Sequence, residues 1–378
     1  MLVVLYHMAG FGIVTPDFYA PLPERAFPSI AAYRSFGWVG VQIFFVISGF
    51  VIAASAHNAT TRNFLAKRAI RVLPALWVSA LLAFALRLLW GEPLAELLNA
   101  LVRSLILSPD GPYIDGVVWT LVIEAVFYIF VACVMLAGRH GSDRAKALET
   151  SALFLGAISA AFLTVHLVVT LADLNVGGVG LPQLMSRFFF DVMMLRHGAF
   201  FAIGMLLFQV TTRGATTARI SALVVFSLAG CVQIALNAGL GDYWIPIAIW
   251  MAGNLALLAA VRGSAIRLPE KAARMSACIG LLTYPLYLNH FTVGQSIVPV
   301  IARYVADRSI LFAVTLAIML VLAWLIMQWP ERLGQKAFRT LLLERQAPAG
   351  PAPGWRAAGD HGKEASRGAA IRRSMRLQ

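Results

Sequence analysis

The chain has 378 residues, of which 60% are hydrophobic and only 13% charged, whereas an ordinary soluble domain carries about a quarter charged residues. Lys and Arg number 31 against 18 Asp and Glu, a formal charge of +13, yet they fall in short loops between long apolar runs and form no basic face interleaved with aromatics. This pattern excludes a soluble globular enzyme and a nucleic-acid partner, and it describes an all-α polytopic membrane protein.

The first apolar run, Met1 to Val14, ends at Thr15-Pro16-Asp17. At 1.5 Å per residue it is too short to cross a hydrocarbon core of about 30 Å, and it lacks the basic flank and cleavage site of a signal peptide. It reads either as a re-entrant or interfacial start or, preferably, as a first helix truncated at its beginning. Nine further runs of spanning length follow, near 36–56, 70–90, 117–137, 151–171, 195–211, 219–238, 243–261, 277–298 and 309–329. About ten transmembrane helices are therefore expected, an even number that puts both termini on one side. The loops on that side hold thirteen Lys and Arg against eight on the other, so the positive-inside rule makes both termini cytoplasmic. Residues 1–330 form the transmembrane domain. Residues 331–378, with 10 basic and 4 acidic side chains, read as a cytoplasmic tail. Beyond an amphipathic stretch near 333–343 it is expected to be disordered and drawn to anionic membrane lipid.

Cys133, Cys231 and Cys278 each lie inside an apolar run without a pairing pattern, which suggests packing roles and neither a disulfide nor a metal site. There is no glycine-rich nucleotide loop, which speaks against ATP-driven transport. No matching pair of broken helices marks an inverted-repeat transporter.

Ionisable residues at membrane depth are expensive and usually functional. Those inside the runs are His7, Glu124, His166 and His290. On the expected threading His7, Glu124 and His290 all sit roughly 10 Å below the outer face, so they can meet. Thr120, Glu124 and Tyr128 recur every four residues and place a polar stripe on one face of their helix, looking into the bundle. The functional reading makes His7 a general base for acyl or proton transfer, with Glu124 fixing its tautomer and stabilising the imidazolium. The plainer alternative is that these groups are interhelical hydrogen-bond partners. Function leads for His7 and Glu124, the two readings are even for His290, and a structural role leads for His166. On the cytoplasmic side Lys67, Arg68 and Arg71 precede the third run. Arg68 and Arg71, three apart, share a helix face and can grip a polyphosphate, although the same residues also suit an ordinary membrane anchor. Ser48 and Gly49, with Ala53 following, read as small residues permitting close helix packing, with no base evident beside Ser48.

Five segments carry a resemblance to a known family: Leu2-Val-Val-Leu-Tyr-His7; Gly37-Trp-Val-Gly-Val-Gln-Ile-Phe-Phe-Val-Ile-Ser-Gly-Phe50; Phe64 to Pro74; Trp119 to Tyr128; and Thr283-Tyr-Pro-Leu-Tyr-Leu288. In order and spacing they resemble the acyltransferase 3 family of bacterial integral membrane O-acyltransferases, which includes O-antigen and exopolysaccharide acetylases. The resemblance implies transfer of an acyl group, commonly acetyl, from cytoplasmic acetyl-CoA to a sugar hydroxyl of a polysaccharide, lipopolysaccharide or other glycan beyond a bacterial cytoplasmic membrane, without a metal. It matches His7 to the essential first-helix histidine, Arg68 and Arg71, with Lys67 beside them, to the basic group linked to acyl-CoA, and Glu124 to the acid of the Trp-Thr-Leu segment. Trp119, Tyr128 and His290 take supporting or substrate-binding places. Two departures stand out. The family's arginine eleven residues before the histidine would fall before Met1, which suggests a start assigned too far downstream or a truncated, inactive copy. Trp329-Pro330-Glu331 also replaces the more usual Glu-Pro order. A transporter of glycans or lipid-linked intermediates, with the same polar residues lining its path, is the alternative of a different class.

Overall fold

The computed structural model of the protein describes residues 1–11, 26–138, 142–176, 179–262 and 269–343. The helices that build the bundle are α1 (Leu2–Met8), α2 (Gly40–His57), α3 (Thr61–Leu89), α4 (Leu94–Leu105), α5 (Val118–Ala137), α6 (Ser142–Leu171), α7 (Gly198–Arg213), α8 (Thr217–Asn237), α9 (Trp244–Arg262), α10 (Glu270–Asn289), α11 (Thr292–Ala302), α12 (Arg308–Gln328) and α13 (Pro330–Leu342). Among the described residues, extended pairing is confined to Asn175–Val176 against Val179–Gly180.

Seven helical segments among the described residues are long and apolar enough to cross a membrane, namely α2 with its lead-in turns, α3, α5, α6, α8, α9, and α12 continued by α13. The chain is an all-α polytopic membrane protein. The difference from ten expected spans has physical causes. The opening run forms a helix only from Leu2 to Met8, and its last three residues lie outside the described residues. α7 has 16 residues. α10 has 20, but Arg274, Tyr284, Tyr287 and Asn289 dilute its apolarity. The run expected as one span over 277–298 is broken at His290–Phe291 into α10 and α11.

Local chemistry sets several boundaries. Thr60 caps α3 by accepting from Asn63 N at 3.3 Å, Thr216 caps α8 by accepting from Arg219 N at 3.3 Å, and Asp307 caps α12 through Ser309 N and Ile310 N, both at 2.9 Å. Each side-chain oxygen satisfies an otherwise orphaned first-turn N–H.

The core is the crossing of α2 and α7, filled by Phe45, Phe127, Phe200 and Phe201. Helix backbones meet there because two positions lack a side chain. A Cβ at Gly49 would stand 2.2 Å from Phe201 O, and one at Gly204 2.0 Å from Val46 O. The expected small-residue packing around Ser48 and Gly49 is thus present. Leu81, Ile129, Phe154, Leu228, Leu255 and Val321 are exposed on the bundle's outside, the surface a lipid solvent covers. Cys133 and Cys278 are exposed as well, so they are not the packing residues expected. α13 lies along α3, with Trp77 and Phe338 rings 5.3 Å apart. The rest of the expected tail, 344–378, lies outside the described residues.

Candidate functional site

His7 and His290 come together. His7 Nδ1 and His290 Nε2 are 2.7 Å apart, and His290 Nδ1 lies 2.6 Å from the carbonyl oxygen of Tyr287. A carbonyl only accepts, so His290 Nδ1 carries the proton and its Nε2 is a bare acceptor when the ring is neutral. His7 Nδ1–H then donates to it. By this chain of assignments His7 Nε2 is left with a free lone pair, the protonation state a general base requires. His290 is fully buried, while His7 is half-buried between Tyr6, Phe291 and His290, at ring distances of 5.0, 4.8 and 4.9 Å.

The break between α10 and α11 positions this pair. Tyr287 OH is 2.7 Å from Thr120 Oγ1, which ties the end of α10 to α5. Asn289 Nδ2 donates to Ser79 Oγ at 2.8 Å, tying it to α3. The buried carboxylate of Asp115 accepts from Val117 N at 3.0 Å and from Thr292 N at 3.1 Å, pinning the start of α11 to the start of α5. Burial pushes the Asp115 carboxyl above the usual carboxylate range, against the pull of those N–H donors and of Arg87.

Glu124 has a different partner from the one the sequence suggested. It accepts from Ser48 Oγ, and Tyr128 also donates to it. His290 lies inside the run expected as one span over 277–298, but it sits at the break between α10 and α11. Tyr287, whose carbonyl holds His290, meets α5 at Thr120, about 6 Å along the axis from Glu124 at 1.5 Å per residue. Ser48, read as having no base beside it, faces this carboxylate. The stripe of period four is all buried: Thr120, Glu124 and Tyr128 are 1%, 7% and 8% exposed. It forms a polar column about 12 Å long, from Tyr287 through Ser48 to the basic residues.

At the far end of the column Arg68 turns inward. Its Nη2 donates to Ser55 Oγ at 2.5 Å, and its guanidinium sits 5.8 Å from the Phe64 ring centre and 6.0 Å from that of Tyr128. Arg71 lies within charge–charge reach of Glu124, Tyr284 and Glu331. Lys67 and Arg71 are both exposed, one turn apart along the same side of α3.

At the opposite end His7 borders a cavity of about 700 Å³, whose walls include Tyr6, Trp38, Trp119, Asp191, His197 and Tyr287. Sequence reasoning missed its polar wall. The Asp191 carboxylate is 3.1 Å from Arg196 Nη1 and 3.0 Å from His197 Nε2, and Arg196 Nη2 donates to Asn237 Oδ1 at 3.1 Å. An acid, Asp191, followed by the adjacent basic residues Arg196 and His197 in an otherwise apolar stretch was the available signal. His166 stays apart from His7, with Nε2 3.4 Å from Ser186 Oγ. No group of His, Cys, Asp and Glu suited to a metal occurs among the described residues.

A family model described as an acyltransferase domain matches residues 1–328. The chain belongs to that family and is a membrane acyltransferase. No curated protein and no solved structure matches it.

Proposed function

We propose that this member of the acyltransferase family moves an acyl group, acetyl in its commonest form, from cytoplasmic acyl-CoA to a hydroxyl of a glycan or glycolipid at the outer face of a bacterial cytoplasmic membrane. The observation that carries the reading is the arrangement of the polar interior. A basic pair, Arg68 and Arg71, lies at one end of the buried column, and a histidine with a free lone pair lies at the other, beside a cavity large enough for a sugar. Arg68 and Arg71 hold the donor's diphosphate at the inner face through charge-assisted hydrogen bonds. The pantetheine arm then spans roughly 20 Å, the core thickness less the depth of His7. The low exposure of Glu124, Tyr128 and His290 supports a dry route, which protects a thioester from hydrolysis.

At the reacting end His7 Nε2 takes the proton of the acceptor hydroxyl as its oxygen attacks the thioester carbon. The C–S bond breaks, and the proton passes from His7 to the leaving thiolate. His290 orients His7 through the 2.7 Å contact and stabilises the imidazolium formed in between, the part first expected of Glu124. Glu124 instead holds Ser48 and Tyr128 and balances the charges of Arg68 and Arg71 midway along the column. Trp119, Trp38 and Tyr6 offer the acceptor ring aromatic surface. Proton NMR of surface polysaccharide from wild-type and deletion strains tests the reading: O-acetyl signals present in the first and lost in the second agree with it, and identical spectra oppose it.

A further inference from the structure

Two buried polar atoms near the basic pair have no hydrogen-bond partner among the described residues, Arg68 Nε and Glu331 Oε2. Glu331 lies in the first turn of α13 and is 8% exposed; its other oxygen accepts from Gln335 Nε2 at 2.8 Å. Arg71 and the neighbouring Arg332 both act on its charge, Arg71 the more strongly, and Tyr284 is within reach of Glu331 and Arg71. The Tyr284 hydroxyl is already used, donating to Val72 O at 2.9 Å. A buried carboxylate oxygen left unpaired is costly in a low-dielectric interior. An orphaned donor and an orphaned acceptor around one basic pair are what a ligand with both phosphate oxygens and hydrogen-bond donors completes.

Placement selects which part of the ligand. α13 runs back along α3, with Gly334 against Pro74, where a Cβ would stand 2.7 Å from Pro74 Cβ, and Arg62 Nη2 donating to Leu342 O at 3.3 Å. Pro74 is one turn beyond Arg71 toward the bundle interior, and Glu331 precedes Gly334 by nearly a turn. Glu331 is therefore on the interior side of Arg71, where the uncharged arm leaves the diphosphate, and a carboxylate repels phosphate but accepts N–H and O–H.

We propose that Glu331 belongs to the donor site and accepts a hydrogen bond from the hydroxyl or amide N–H at the phosphate end of the pantetheine arm. This rests on the reading of Arg68 and Arg71 as the diphosphate clamp. The test measures equilibrium binding of coenzyme A, and of ADP, which keeps a diphosphate and lacks the arm, to the whole chain in lipid nanodiscs. In Glu331→Gln the amide oxygen keeps the Gln335 bond and turns an NH2 group toward the orphaned place, so the acceptor is lost at constant volume. Coenzyme A affinity is expected to fall about tenfold while ADP affinity stays at the wild-type value, and Glu331→Ala is expected to show the same selectivity. Unchanged or tighter coenzyme A binding overturns the proposal, the latter marking Glu331 as a mere counter-anion, and so does equal weakening of both probes. Arg68→Ala with Arg71→Ala leaving both probes unaffected overturns the donor-site reading itself, whatever Glu331 does.

Discussion

Replacing His290 by Phe removes the acceptor of the His7 Nδ1–H while keeping a ring of similar size in a fully buried place. The bond lost is 2.7 Å long, and a buried donor left unsatisfied costs about 1–3 kcal/mol. If that falls on the transition state, where His7 becomes charged, then at 1.36 kcal/mol per tenfold kcat drops about 5- to 150-fold. KM for acyl-CoA should not move, because the dyad is at the other end of the column from Arg68 and Arg71. Removing the base itself forfeits more, about 10²- to 10⁴-fold, so His7→Ala should be slower than His290→Phe. The double variant should be no slower than His7→Ala alone, since His290 acts only through His7. The assay is acyl-CoA-dependent release of free thiol by the protein in nanodiscs with an acceptor glycan. Wild-type kcat in His290→Phe, or additive losses in the double variant, refutes the positioning role.

Gly204→Ala puts a Cβ 2.0 Å from Val46 O, a backbone atom that cannot yield cheaply. Overpacking of about 1–3 kcal/mol or more is expected to lower the thermal midpoint and folded yield, and an unchanged midpoint argues against the α2–α7 contact. Asp115 gives a pH signature in stability. Burial raises its folded-state pKa above the usual value of about 4, so the folded chain retains a proton that the unfolded chain releases. The stability of wild type relative to Asp115→Asn is therefore expected to fall as pH rises from about 4 through the raised pKa, then to level off. Thermal midpoints of the two proteins across that range check this, and a rising difference contradicts it.

The apolar runs made the bundle legible, and a period of four made the Thr120, Glu124 and Tyr128 stripe legible as inward-facing. What each stripe residue meets was not. Ser48 and Glu124 are separated by 76 residues, and nothing local links a hydroxyl to a carboxylate at that distance. The break at His290–Phe291 lacks the Pro or Gly that usually announces one. It is held by tertiary bonds from Asp115, Thr120 and Ser79, so a shared depth for His7, Glu124 and His290 does not tell that His7 pairs with His290 and Glu124 with Ser48. Length alone misjudged α7, whose 16 residues gain their place from glycine-mediated contact with α2.

Label transfer tests the central claim most directly. The whole chain, reconstituted in liposomes, is given acetyl-CoA labelled in the acetyl group on the side of Arg68 and polysaccharide on the side of His7. Label in the polysaccharide with wild type, and none above background with folded His7→Ala, is the predicted result; equal labelling by the two proteins contradicts it.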